Sequence, residues 1–114
     1  MKLVIGGFAQ GKLEYVKANM LKDKSDVVIN DFHLHIRKYL QEGKDADRLY
    51  EEVTDFIKEH PDTIIICDEI GNGIVPVDPF EREYREKTGR LLIELAKQAD
   101  EVVRVTCGIG QRIK

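Results

Sequence analysis

The sequence has few cysteines and no long hydrophobic run. Its first residues, MKLVIGG, reach two glycines after three apolar positions, which is far too short for the apolar region of a signal peptide or for a membrane span. Cys67 and Cys107 stand singly at the ends of apolar runs, without the spacing of metal ligands. We therefore expect a cytoplasmic protein without a membrane span, in which both cysteines are buried free thiols rather than a disulfide.

An excess of positive charge is also missing. The chain has 18 Lys and Arg against 21 Asp and Glu, which gives a net charge of -3 at pH 7. Because nucleic-acid binding needs clustered basic residues that displace counterions, we expect no nucleic-acid partner. A local basic site for a small anion stays open. With 114 residues, the chain is short for two hydrophobic cores, so we expect a single domain over residues 1–114.

Short apolar runs rich in β-branched residues alternate with longer helical patterns. The runs are KLVIG, DVVIN, TIIICD and EVVRVTC. Their alternation with helices is typical of βαβ units and predicts a parallel sheet. The segment IIIC is apolar throughout, as expected of a central strand covered on both faces.

Capping residues and helical spacing predict four helices. The first covers residues 12–22, the second begins at Phe32 and ends near Gly43, and the third covers 46–59 after Asp45 as its cap. The apolar stripe predicted for the third helix is Leu49, Val53, Phe56 and Ile57. The fourth begins with Asp78, Pro79 and Glu81, which together form a capping box. Gly43 stands where a left-handed residue is needed to end a helix.

A glycine-rich loop lies between the first strand and the first helix. Residues 6–12 fit the phosphate-loop pattern G-x-x-x-x-G-K, but Leu13 stands where the pattern has Ser or Thr. We predict that main-chain N–H groups of the loop bind nucleotide phosphates and that Lys12 reaches the β and γ phosphates. The hydroxyl missing at Leu13 normally bonds Mg²⁺, and a water can take that position. The alternative is a tight turn with a solvated Lys12. The predicted nucleotide-binding residues are Gly6, Gly7, Phe8, Ala9, Gln10, Gly11, Lys12 and Leu13.

Two carboxylates and two arginines complete the candidate site. Asp68 and Glu69 follow the central strand, at the sheet edge where α/β proteins bind ligands. We predict that Asp68 holds Mg²⁺ and that Glu69 orients or deprotonates an attacking hydroxyl. Arg82 and Arg85 share a face of the fourth helix and suit phosphate recognition. The alternatives are a solvated acidic strand end and a solvated helix face.

The C-terminal half resembles a known family. The segment DEIGNGIVPVDPFEREYREKTGRLLIELAKQADEVVRVTCGIGQRIK is similar to that of the adenosylcobinamide kinase and adenosylcobinamide-phosphate guanylyltransferase family, and GGFAQGK resembles its opening G-G-x-x-S-G-K-S. The matching positions are Glu69, Gly71, residues 73–76, Arg82, Arg85, Gly89, Arg90 and residues 99–102. The family's chain is considerably longer.

The resemblance implies a P-loop NTPase-like parallel sheet flanked by helices. It also implies a kinase that uses ATP or GTP with Mg²⁺ and phosphorylates the aminopropanol hydroxyl of a cobinamide-type small molecule. In that mechanism Lys12, Glu69, Arg82 and Arg85 are the catalytic residues. The family's guanylylated histidine is assigned to neither His33 nor His35, which we expect to be ordinary helix-start residues. A non-catalytic nucleotide- or corrinoid-binding protein is the alternative, and a homo-oligomer through an exposed edge strand stays open.

Overall fold

Each β-branched run forms a strand in the computed structural model, which describes residues 1–23, 26–70 and 76–114. In chain order the elements are β1 (Lys2–Gly6), α1 (Lys12–Asn19), β2 (Val28–Ile29), α2 (Phe32–Gln41), α3 (Ala46–Glu59), β3 (Ile64–Asp68), α4 (Pro79–Gln98), β4 (Glu101–Thr106) and β5 (Ile109–Arg112). Helices separate successive strands as far as β4, with two of them, α2 and α3, between β2 and β3, as the sequence pattern predicts.

The strands form one five-stranded sheet in the order β2-β3-β1-β4-β5. The first four strands are parallel, and β5 is antiparallel to β4. In the pairing of β1 with β3, Gly6 lies opposite Asp68. The glycine loop and the acidic strand end therefore leave the sheet side by side at its carboxyl edge. This topology confirms the predicted P-loop NTPase-like α/β fold.

Helices cover both faces of the sheet. Residues of α2, α3 and α4 form the larger apolar cluster with Leu3 and Ile65. On the opposite face α1 contributes Val16 to a smaller cluster with Val4 and Val105. The side chains of Leu3 and Val4 reach different clusters because successive residues of a strand point to opposite faces. Within the described part of the chain, no helix is long and apolar enough to cross a membrane.

The predicted helix caps are present. The carboxylate of Asp45 accepts from the N–H of Asp47 at 3.0 Å, and that of Asp78 accepts from Phe80 N–H at 2.8 Å. Gly43 follows α2 with a φ of 75°, which confirms the left-handed cap. The capping box of α4 is only half formed, since both carboxylate oxygens of Glu81 accept from Arg37 of α2 instead.

Several sequence predictions are wrong in detail. Helix α1 ends at Asn19 rather than at residue 22. Phe56 is exposed, because it lies at the margin of the α3 stripe and packs against the ring of His60. Strand β5 was not predicted, and Cys107 is exposed in the turn before it. Both turn residues, Cys107 and Gly108, have positive φ values of 51° and 75°, as a two-residue type I′ hairpin requires.

Candidate functional site

An open cavity of about 360 Å³ lies at the carboxyl edge of the sheet. One wall is residues 8–14 of the glycine loop and the start of α1, and the other comes from the end of β2 and the start of α2. The second wall consists of Asn30, Asp31, His33 and Leu34. Asp68 lies between the two walls, because β3 separates β1 from β2 in the sheet. This is the crevice in which open α/β sheets bind ligands.

The glycines of the loop are required by its geometry. A Cβ atom on Gly6 would lie 2.5 Å from the main-chain oxygen of Val105, so no larger residue fits where the loop leaves β1. Gly11 is the N-cap of α1 and has a φ of 81°, a value that L residues rarely adopt. These constraints hold the loop in a tight curve before the N-terminus of α1, whose amides favour anions.

The turn between β4 and β5 is hydrogen-bonded to the glycine loop. The main-chain oxygen of Gln10 accepts from the N–H of Gly108 at 2.8 Å. The side-chain Oε1 of Gln10 accepts from the N–H of Cys107 at 2.7 Å. We call these two hydrogen bonds the loop–hairpin clasp. Sequence analysis placed Gln10 in the loop but missed this contact, because the hairpin itself was not predicted.

Lys12 is buried inside the site rather than solvated. Its side chain is 7% exposed, and its Nζ lies 2.6 Å from Oδ1 of Asp68. The same ammonium donates to the main-chain oxygen of Gly7 at 2.6 Å. The structure thus brings the predicted phosphate-binding lysine and the predicted metal-binding carboxylate into direct contact, and excludes the solvated alternative for Lys12.

His33 belongs to the site, although sequence analysis treated it as an ordinary helix-start residue. Its Nδ1 accepts from the main-chain N–H of Asp68 at 3.1 Å, and its Nε2 lies 3.4 Å from Oδ2 of the same residue. A ring nitrogen that accepts an N–H carries no proton, so the proton of neutral His33 lies on Nε2. The hydroxyl of Tyr84 donates to the main-chain oxygen of His33 at 3.0 Å, which ties α4 to this part of α2. His35 is exposed on the same helix.

Asp31 is the second residue that sequence analysis missed. It is the N-cap of α2 and lines the cavity. One ligand atom each of Asp31, His33 and Asp68 lie within 4.8 Å of one another. His33 does not fit a metal here. A histidine that binds a metal through one ring nitrogen donates a hydrogen bond from the N–H of the other. In His33 the Nδ1 accepts a hydrogen bond, and the Nε2 carries the proton. The Asp68 carboxylate at the end of β3 does fit a hard cation such as Mg²⁺, which takes oxygen ligands.

The predicted catalytic residues other than Lys12 lie outside this cavity lining. The Glu69 carboxylate pairs with Arg104 of β4 at 3.0 Å between Oε2 and Nη2. Arg82 is exposed and Arg85 is half-buried on α4, and neither is among the described residues that line the cavity. The matched motif residues Gly71 and 73–75 fall outside the described part of the chain.

Two buried groups around the site are kept protonated. Burial raises the pKa of the Cys67 thiol to about 12, with the charge of Asp68 adding to the effect. Burial likewise raises the pKa of the Tyr84 hydroxyl to about 12. The Cys67 thiol therefore remains a donor and contacts the main-chain oxygen of Asp68 at 3.4 Å. Neither group supplies a nucleophile or a base near neutral pH.

A signal for the missed residues is present in the sequence. The stretch NDFH follows the β2 strand run directly. Since parallel strands end at the same edge of a sheet, polar residues directly after β2 converge with those after β1 and β3. Applying that rule to every strand, rather than to TIIICD alone, would have placed Asp31 and His33 in the site.

Comparison with known proteins identifies relatives in one biosynthetic route. The bifunctional adenosylcobalamin biosynthesis protein CobU of Salmonella typhimurium is 43% identical over 51 residues, which is 45% of this chain and 28% of that protein. The protein of the same name from Escherichia coli is 41% identical over 51 residues, with the same shares covered. The aligned part of this chain thus spans little more than a quarter of the length of either relative.

A family model covers nearly the whole chain. The model described as cobinamide kinase / cobinamide phosphate guanyltransferase matches residues 7–113. The match begins within the glycine loop, and it includes both cavity walls, Asp68 and the hairpin. It confirms the resemblance inferred from the two sequence motifs. The chain belongs to the cobinamide kinase / cobinamide phosphate guanyltransferase family.

Proposed function

We propose that this chain is a nucleotide-dependent kinase that transfers the γ-phosphoryl group of ATP or GTP to the aminopropanol hydroxyl of a cobinamide. The ion pair between Lys12 and Asp68 carries the proposal, because it lies in an open cavity beside a strand-to-helix glycine loop. A buried lysine and a carboxylate at the end of the adjacent strand are the parts that phosphoryl transfer requires. Family membership supports the choice of reaction.

Each part of the site has a role in this proposal. The main-chain N–H groups of residues 7–13 and the N-terminus of α1 bind the phosphates, and Lys12 exchanges its contact with Gly7 for a phosphate oxygen. Asp68 would hold Mg²⁺, which would supply positive charge against the charge that develops on the phosphates. Arg82 and Arg85 steady phosphate charge when substrate is bound. Glu69 acts through its ion pair with Arg104 or on the hydroxyl directly, and its role stays a prediction.

The test is transfer of labelled γ-phosphate to cobinamide by the purified chain, with ATP and GTP compared. Lys12→Ala removes a preorganised cation, so we expect turnover to fall by roughly 10²- to 10³-fold. Lys17→Ala is the matched control, because Lys17 is an exposed lysine on the same helix. If wild-type protein transfers no phosphate with either nucleotide, the kinase proposal fails.

The second candidate is a nucleotide- or corrinoid-binding protein without turnover. Leu13 favours it, since this side chain is partly buried against the smaller apolar cluster and offers no metal ligand. The same labelling experiment separates the two functions. A binding protein saturates with nucleotide in the presence of cobinamide while the γ-phosphate stays on the nucleotide.

A further inference from the structure

We propose that the α2 wall of the cavity binds the phosphoryl acceptor and that Asp31 receives the proton of its hydroxyl. The α2 wall is Asn30, Asp31, His33 and Leu34. This inference rests on the proposed kinase function and assigns the acceptor side of that site. The acceptor is an alcohol with a sizeable apolar surface.

The cavity divides into two chemically different halves. The loop wall carries the curved main chain of the glycine loop and the ammonium of Lys12, which attract anions, and Glu14 is its carboxylate, in the first turn of α1. The α2 wall also begins at a helix N-terminus, but among the described lining residues it has no lysine or arginine, and its carboxylate, Asp31, repels phosphate and can accept from a hydroxyl. A nucleotide on the loop wall therefore leaves the α2 wall for the acceptor, with Asp68 between the two.

The carboxylate of Asp31 does not cap its own helix. Asp45 and Asp78, the other aspartate N-caps, have extended backbones, and their carboxylates accept from amides of the first turn. Asp31 has φ 52° and ψ 47°, and its side chain makes no capping hydrogen bond. A left-handed backbone at a residue other than glycine is uncommon and is concentrated at functional sites. The Asp31 carboxylate therefore lines the cavity without making the capping hydrogen bond that Asp45 and Asp78 make.

Competing carboxylates are less suited to the hydroxyl. Asp68 accepts from Lys12 at 2.6 Å, and His33 approaches its other oxygen at 3.4 Å. Glu69 pairs with Arg104 and does not line the cavity. Glu14 lines the cavity from the first turn of α1, on the phosphate side. Among the described lining residues, Asp31 is the carboxylate on the wall opposite the phosphates.

Exposed apolar side chains at the cavity set the class of acceptor. Phe8 of the loop wall is 84% exposed, and Leu34 of the α2 wall is 52% exposed. Both line the same cavity, so their apolar surfaces border one opening. Covering them favours an acceptor that carries a broad apolar surface beside its hydroxyl, and disfavours a small polar alcohol or water.

Phosphoryl transfer exchanges one phosphorus–oxygen bond for another and releases one proton. The acceptor oxygen forms a bond to the γ-phosphorus, and the bond from that phosphorus to the bridging oxygen of the β-phosphate breaks. The proton of the hydroxyl moves to the Asp31 carboxylate, and the nucleoside diphosphate leaves with the bonding electron pair. The Nδ1 of His33 accepts from the main-chain N–H of Asp68, which helps to keep the Asp68 carboxylate in place beside Lys12.

The first test of this inference is Asp31→Asn. Asn tolerates the left-handed backbone of this position, so the variant folds. We expect turnover with cobinamide to fall by roughly 10²- to 10⁴-fold, with nucleotide affinity and Mg²⁺ dependence unchanged. Asp31→Glu should recover part of the rate, and Asp55→Asn on the exposed face of α3 is the control. A loss confined to Glu69→Gln, or a shift of Mg²⁺ dependence in Asp31→Asn, overturns the assignment.

The second test measures acceptor binding without turnover. Equilibrium dialysis of cobinamide, followed by its visible absorbance, should show at least about tenfold weaker binding in Leu34→Gln. Ile93→Gln is the control, since Ile93 is 58% exposed on α4 away from the cavity. Equal cobinamide affinity in wild type and Leu34→Gln would show that the α2 wall does not bind the acceptor. If wild type binds cobinamide and Leu34→Gln does not, the α2 wall is the acceptor site even when no phosphate is transferred, and the kinase function fails together with the proton transfer to Asp31.

Discussion

The packing of Leu13 accounts for the departure of the loop from the usual phosphate-loop pattern. Its side chain is partly buried against the cluster that includes Val16 and also lines the cavity. A hydroxyl at this position would contact a metal, whereas leucine contributes apolar burial to the packing of α1 on the sheet. Full burial of a leucine stabilises a protein by about 1.5–3 kcal/mol, and a partly buried one contributes less.

We predict that Leu13→Ser exchanges stability for Mg²⁺ affinity. The melting temperature without ligand should fall because apolar contacts are lost. Mg²⁺-dependent nucleotide binding should become tighter because a hydroxyl replaces a water as metal ligand. Titration of Mg²⁺ against nucleotide affinity in both proteins measures the exchange, with exposed Leu21→Ser as the control. Unchanged metal affinity in Leu13→Ser would show that position 13 does not face the metal.

The loop–hairpin clasp couples the β4–β5 hairpin to the glycine loop. The clasp consists of the Gln10 hydrogen bonds to Cys107 and Gly108. Hydrogen bonds of this kind contribute about 0.5–1.5 kcal/mol each. They fix Gln10 in the loop, so if the loop binds phosphates as proposed, part of the entropic cost of ordering it would be met before the ligand binds.

Gln10→Ala should therefore weaken nucleotide binding more than it weakens the fold. We expect a five- to tenfold increase in the dissociation constant, corresponding to about 1 kcal/mol. Isothermal titration of ATP or GTP measures it. The control is Gln111→Ala, because Gln111 is an exposed glutamine on β5. A similar affinity loss in both variants would locate the effect in the hairpin as a whole rather than in the clasp.

A second coupling between elements joins α2 to α4. Arg37 donates to both carboxylate oxygens of Glu81, and its guanidinium lies 5.3 Å from the ring centroid of Phe80 and 5.1 Å from that of Tyr84. The hydrogen bonds from Arg37 lower the pKa of Glu81 from its ordinary value of 4.5. Because Tyr84 also binds the His33 main chain, this contact supports the α2 wall of the cavity.

The depressed pKa of Glu81 gives a pH dependence of stability. The unfolded carboxyl group takes up its proton at a higher pH than the folded one, so the pair stabilises the fold above about pH 4.5 and this is lost as the pH falls further. Glu81→Gln should reduce the drop in the free energy of unfolding between about pH 7 and pH 3, as measured by urea denaturation. Exposed Glu83→Gln on the same helix is the control. An equal pH dependence in wild type and Glu81→Gln would show that the Arg37–Glu81 pair does not stabilise the fold.

Features of the fold that depend on neighbouring residues can be predicted from the sequence, whereas contacts between distant positions cannot. Strands, helix caps and the glycine loop follow from neighbouring residues, and α3 has the bounds predicted from Asp45 and the apolar spacing. The missed contacts join distant positions. His33 bonds Asp68, and Arg104 bonds Glu69, each across 35 positions of the chain. Such pairs depend on strand order, which periodicity alone does not fix.

Nucleotide binding should stabilise the whole molecule, since in the proposed function one ligand would contact the loop, α1 and the Asp68 strand end together. At a hundredfold excess over the dissociation constant, binding adds about 2.7 kcal/mol, which at this chain length raises the melting temperature by on the order of 10 °C. Lys12→Ala should largely abolish this rise. The variant also loses the ion pair with Asp68, so the comparison is the ligand-induced shift within each protein rather than the absolute melting temperatures.

Lys17→Ala serves as the control for the charge of α1, since Lys17 is exposed on that helix. It should keep the full shift, because its side chain does not line the cavity. Differential scanning fluorimetry with ATP and with GTP, each with millimolar Mg²⁺, measures all three proteins. A shift retained in Lys12→Ala would place the nucleotide elsewhere on the molecule. The absence of any shift in wild type would mean that the Gly6–Lys12 loop is only a structural turn, with the Lys12–Asp68 pair serving to hold β1 and β3 together.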